Sequence, residues 1–192
     1  MRKIIIIFML PCLLYSGTKY VLPCRQDLLL ISERIALSLA GTKELGNRND
    51  GPLIREIQKS AGLPRFSAYC AAGQYWSFLQ ACRCLNLPEN EIPIPRTGLA
   101  NYMFNFAARN GRSSFYQATR HDLLVWKYSQ NMHGHIERII HAGKAGWVQT
   151  IAFNTTLNVR EGIFIRKRNI YHLLGRMNVR GLIGFIPKEA AQ

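Results

Sequence analysis

The spacing of apolar residues changes near the middle of the chain, from a helical period to strand-like alternation. Residues 26–40 carry Leu28, Leu29, Ile31, Ile35, Ala36 and Leu39, a broad apolar face that predicts an amphipathic helix closed by Gly41-Thr42. Asn47-Arg48-Asn49-Asp50-Gly51-Pro52 is a turn cluster, and Pro52 is suited to the first turn of a helix over 52–61 that stops at Gly62. Leu63-Pro64 forces an extended approach to the next element. Residues 67–85 are apolar almost all round, with Tyr69, Ala71, Ala72, Tyr75, Trp76, Phe78, Leu79, Ala81, Cys82 and Leu85, which predicts a centrally buried helix. Three X-Pro steps and Thr97-Gly98 make 87–98 an extended connector, and a short helix over 99–108 ends at Asn110-Gly111.

From Asp122 onward the pattern predicts strands over 122–128, 135–142, 147–154, 162–166 and 182–186. A helical first half and a strand-rich second half give an α+β fold in a single domain. Gly143-Lys144-Ala145-Gly146 separates two apolar runs and reads as a hairpin loop. With those four residues as the loop, Ala142 faces Trp147. Counting outward sets Ile139 opposite Thr150, Glu137 opposite Ala152 and His135 opposite Asn154. Opposed residues share a sheet face with Cβ atoms about 4.5–5.5 Å apart, so the Asn154 carbonyl is expected to accept an imidazole N–H from His135.

Composition narrows the class. The 192 residues are 48% hydrophobic, enough for a full-sized globular core. The net charge of +14 points to an anionic partner such as nucleic acid, an acidic membrane surface or an anionic cell wall. The basic residues are spread along the chain, and the short run Arg166-Lys167-Arg168 reads as solvated surface. Met1-Arg2-Lys3, apolar residues 4–15 and Ser16-Gly17-Thr18 have the form of a secretory signal cleaved after Gly17, too short for the ~20 residues that span a bilayer. The expected organisation is therefore a signal over 1–17, a helical segment over 18–43 and a catalytic domain over 44–192. Of five cysteines, Cys12 would leave with the signal. Cys82 and Cys84 lie about 200° apart on a helix and do not grip one metal together. Cys24 paired with Cys82 or Cys84 fits an exported chain, and buried free thiols fit equally well.

The candidate chemistry is a thiol, an imidazole and an amide. Cys70 falls at the start of the buried helix, where unpaired backbone N–H groups and the positive end of the helix dipole favour a thiolate and offer an anion site. With His135 as base and Asn154 as the group orienting it, these are the parts of a cysteine amidohydrolase. His121, His133, His141 and His172 have no evident partner and read as structural or surface histidines. Asn154-Thr155-Thr156 also matches a glycosylation sequon.

Tyr69-Cys70-Ala71-Ala72, His121-Asp122-Leu123-Leu124-Val125-Trp126, Gly134-His135, Thr150-Ile151-Ala152-Phe153-Asn154-Thr155 and Arg160-Glu161-Gly162-Ile163-Phe164 resemble, in order and spacing, the CHAP domain, the cysteine, histidine-dependent amidohydrolase/peptidase family. Glu44-Leu45-Gly46 and Asn49-Asp50-Gly51-Pro52 resemble the lead-in of phage and secreted wall-hydrolase members. The resemblance spans about residues 44–186, a domain-sized stretch. It implies a papain-like fold in which the helix bearing the cysteine packs on an antiparallel sheet bearing the histidine. It implies a peptidoglycan hydrolase, either an N-acetylmuramoyl-L-alanine amidase or a peptide endopeptidase, with Cys70 as nucleophile, His135 as base and Asn154 as orienting residue. No metal or cofactor is called for. Peptidoglycan and an anionic wall or membrane surface are the expected partners, with an immunity or inhibitor protein as a further candidate and no specific nucleic acid.

The chain departs from the family at Ala152, where many members have Glu, and at Phe153, where they have Gly. The hairpin register sets Glu137 directly across from Ala152, so Glu137 is either the missing carboxylate supplied from the neighbouring strand or a solvated strand residue. The competing functional class is a non-catalytic basic binding protein, one that takes nucleic acid or belongs to a secretion or transfer apparatus. The charge and Ala152 favour that class; the export signal and the Cys–His–Asn order oppose it.

Overall fold

The first described residues pair as a strand rather than coil as a helix. The computed structural model describes residues 17–128 and 132–188. Most of the expected signal, with Cys12, lies outside them. The chain runs β1 (Thr18–Cys24), α1 (Gln26–Ser38), α2 (Pro52–Ser60), α3 (Cys70–Cys84), a 3-10 turn at Glu89–Glu91, α4 (Ala100–Asn110), β2 (Arg112–Ser114), β3 (Leu123–Lys127), β4 (Gly134–Ala142), β5 (Trp147–Leu157), β6 (Arg160–Asn169) and β7 (Asn178–Pro187). The fold is α+β, as the periodicity predicts.

The strands form one sheet in the order β2-β1-β7-β3-β4-β5-β6. The run β7-β3-β4-β5-β6 is antiparallel, while β1 lies parallel to β7, so the sheet is mixed rather than wholly antiparallel. The expected helical segment over 18–43 is corrected here. Its first third is β1, which sits between β2 and β7 and belongs to the sheet. Pro23 is tolerated in it because β2 pairs only with Lys19 to Val21, so Pro23 borders an open edge where a missing N–H costs nothing. Lys19 is buried and its Nζ donates to Asp122 Oδ2 at 2.7 Å, which ties β1 to the start of β3 across the intervening β7.

Alternation along the strands divides the core into two faces. Leu123, Val125, Ile136 and Ile183 pack with Leu28, Phe78 and Met103 of the helices, and Ile151, Phe153 and Ile163 extend that face with Ile54, Ile57 and Ala72. The opposite face carries Leu124, Trp126, Ile139, Val148 and Leu182 under Tyr116, Leu174 and Met177. Helix α3 lies against β4 and β5 at the centre of the helical layer. It comes close to β5 because position 73 is glycine: a Cβ there would meet the Phe153 ring at 2.2 Å. Phe153 is therefore fitted to Gly73 of the helix that carries the thiol. Residues 41–44 cover the outer edge of β6, with Gly41 N–H donating to Ile163 O, Ile163 N–H to Thr42 O and Glu44 N–H to Glu161 O. The other edge is the three-residue β2. Short or covered edges of this kind resist strand-to-strand association.

Candidate active site

Three elements bring the predicted nucleophile and base together. Cys70 is the first residue of α3, which has no side-chain cap, so the first-turn N–H groups are free of helical partners. Cys70 and His135 are both nearly buried, at 4% and 8% exposure. His135 is the second residue of β4 and follows Gly134, where a Cβ would lie 2.1 Å from the Trp126 carbonyl oxygen and 2.4 Å from the Asn101 amide. Only glycine lets the strand approach β3 and α4 so closely at that point. The Cys70 side chain lies near enough to the imidazole to favour its charged form. The ring Nε2 meets Glu137 Oε1 at 3.1 Å, which leaves Nδ1 free of the carboxylate.

Glu137, not Asn154, is the residue that orients the histidine. The i, i+2 spacing on β4 sets Glu137 on the same face as His135. The Glu137 carboxylate is fully buried, and every available contact suits a negative charge. Oε2 accepts from Thr150 Oγ1 at 2.6 Å, and Arg168 donates to Glu137 from Nε at 3.0 and 2.9 Å and from Nη2 at 2.7 Å. Burial alone would raise the Glu137 pKa, but the hydrogen bonds and charges of His135 and Arg168 outweigh it and hold it at about 2. Burial likewise disfavours the imidazolium, and the interactions with Cys70 and Glu137 overcome that penalty, raising His135 to about 9. At neutral pH His135 thus carries its proton between the Cys70 sulfur and a carboxylate.

The expected register holds where it matters. Glu137 pairs with Ala152 and Ile139 with Thr150, but an irregularity between Ile139 and His141 shifts the hairpin end so that Ala142 pairs with Val148. Asn154 would face His135 on a regular strand. Instead the β5–β6 ladder is broken between Ala152 and Thr155, and Asn154 adopts a left-handed φ of 55°. That bulge turns its amide toward the start of α3. Asn154 Oδ1 accepts from the Tyr69 N–H at 3.3 Å, and Nδ2 donates to Asn49 Oδ1 and to Glu44 Oε1 at 3.3 Å. Buried Glu44 also accepts from the Tyr69 hydroxyl at 3.0 Å and from the Asn49 N–H. Asn154 therefore anchors the residue before Cys70 to the lead-in loop. It positions Cys70 rather than His135.

Sequence reasoning missed Thr150 and Arg168. Thr150 was within reach, because the register that pairs it with Ile139 sets it on the Glu137 face. Arg168 was hidden inside a basic run that reads as solvated surface. Of the other histidines, His133 lines the cleft that reaches Cys70, His121 Nδ1 pairs with buried Glu33, and His141 is exposed. Cys24 and Cys82 are buried free thiols, Cys84 is an exposed one, and burial pushes Cys24 up to about 12. Among the described residues no group of three or more His, Cys, Asp or Glu side chains is arranged to hold a metal ion, and no helix is long and apolar enough to cross a membrane.

Two clefts flank the thiol–imidazole pair. One reaches Cys70 past Leu63, Ser67, Ala68, Leu99 and Met132; the other reaches His135 past Thr155, Thr156, Arg166 and Arg168. Comparison of the chain with protein-family models, curated proteins and solved structures found no match.

Proposed function

We propose that this chain is an exported cysteine hydrolase that cleaves amide bonds of peptidoglycan, as an N-acetylmuramoyl-L-alanine amidase or a peptide endopeptidase in a papain-like, CHAP-type domain. The observation that carries this reading is the buried Cys70–His135–Glu137 chain at the N-terminus of a central helix. Cys70 attacks the carbonyl carbon as a thiolate while His135 is an imidazolium. The tetrahedral oxyanion is held by backbone N–H groups of the first turn of α3, aided by the helix dipole. His135 gives its proton to the departing amine and leaves an acyl thioester on Cys70. It then takes a proton from water, whose oxygen displaces the Cys70 thiolate and releases the acid, restoring the thiolate–imidazolium pair. Glu137 stays ionised throughout and holds the ring in one orientation, as the carboxylate does in serine triads. The net charge of +14 favours retention on an anionic wall.

The test is mass spectrometry of fragments released from purified peptidoglycan. The wild-type protein should release fragments bearing new amino termini, and their masses name the bond cut. Cys70→Ser should release none while keeping the wild-type circular dichroism. Equal release by the two proteins overturns the mechanism.

A further inference from the structure

The cleft beside His135 contains a charge that the chain itself does not neutralise. Arg166 and Arg168 lie on the same face of β6, two residues apart, and both line this cleft with Thr155 and Thr156. Arg168 is committed to Glu137. Arg166 has no ion pair among the described residues, and its Nε is buried without a hydrogen-bond partner. A buried donor left unsatisfied is costly, and a guanidinium offers a planar fork matched to a carboxylate. Burial and the neighbouring Arg168 weigh against the Arg166 charge and Glu137 only partly offsets them, so an anion seated here would relieve both penalties.

We propose that Arg166 forms a carboxylate subsite for the leaving-group side of the substrate, in the cleft that Thr155 and Thr156 also line. The assignment of side follows from the clefts. The acyl group stays on Cys70, in the cleft lined by Leu63 and Leu99, while the amine departs toward His135, in the cleft that holds Arg166. The substrate class is therefore an amide whose amine half is an acidic peptide with a free carboxylate near the scissile bond. The assignment rests on the hydrolase reading for its substrate, whereas the anion site stands on Arg166 alone.

Two experiments separate those claims. In the first, sodium acetate is titrated into the full-length protein while the Arg166 Nε–H resonance is followed by NMR, its assignment fixed by its loss in Arg166→Gln. A saturable shift is expected; a shift that only tracks ionic strength, as sodium chloride gives, overturns the anion site. In the second, amine release is measured from native peptidoglycan and from the same material with its carboxylates amidated by carbodiimide and ammonia. Wild type should prefer the native wall by about tenfold. Arg166→Gln should lose that preference, Arg166→Lys should keep part of it, and Lys167→Gln, on the opposite face of β6, should keep all of it. An unchanged preference in Arg166→Gln overturns the subsite. Release from neither wall by the wild type defeats the hydrolase reading and with it the leaving-group assignment, and the acetate titration then decides the anion site alone.

Discussion

At the scale of single residues, two polar side chains divide the work of holding Cys70 and His135. Glu137 faces the base, and Asn154 faces the backbone before the nucleophile. They should therefore fail differently. Glu137→Gln keeps the shape but removes the charge that favours the imidazolium, so the alkaline limb of the activity profile should move down from about pH 9. Asn154→Ala should lower kcat by about tenfold, through misplacement of Cys70, and leave that limb where it is. A pH–rate series on both variants checks this, and identical limbs in wild type and Glu137→Gln would reject the carboxylate's role. The same shift has a stability signature. The His135 pKa is raised from 6.5 to about 9 on folding, so its contribution is complete below pH 6.5 and is lost as pH rises through about 9. Urea unfolding of the wild type should weaken across that window, and the slope should be smaller in Glu137→Gln.

At the scale of elements, the sheet is held by contacts that pass over strands as well as between them. The Lys19–Asp122 bridge spans β7, and burial pushes the Asp122 pKa up despite the ammonium beside it. Such a pair gives little net stability but is costly to split. Asp122→Ala should destabilise the fold by about 3–5 kcal/mol, whereas Lys19→Met with Asp122→Leu should recover most of that loss in urea titrations. This scale also explains which elements were legible. The four helices and five of the strands announce themselves by local periodicity. β1 does not, because its place beside β7 is set by pairing with residues more than 150 positions away, and its seven residues include a proline. The hairpin arithmetic located Glu137 and Thr150 because the irregularity between Ile139 and His141 cancels a one-residue shift at the loop end. It failed at Asn154 because a bulge resets the side-chain alternation, and nothing local in Phe153-Asn154-Thr155 marks one. The fit of Phe153 against Gly73 was equally invisible, since it depends on how closely α3 approaches β5.

At the scale of the molecule, the charge is a long-range device and the site a short-range one. The excess of 25 basic over 11 acidic residues acts through solvent, where the screening length at physiological salt is about 8 Å. Pull-down of Cys70→Ser with insoluble peptidoglycan should therefore weaken steeply between low and moderate sodium chloride. The His135–Glu137–Arg168 cluster is buried, so the pKa of about 9 should hardly move over the same range. Salt-independent wall binding would assign retention to specific contacts instead of net charge.

The anchor made by Asn154 also fixes when the protein can become reactive. Its bonds join positions 85 to 110 residues apart in the chain, and the base and its carboxylate arrive from β4 with their clamp on β6. Contacts of such separation close late in folding. A nascent chain that has completed α3 carries its thiol on an unanchored turn, with neither base nor oxyanion geometry, and stays inert until the last antiparallel strands dock. On the proposed mechanism, topology alone would time reactivity to the end of synthesis.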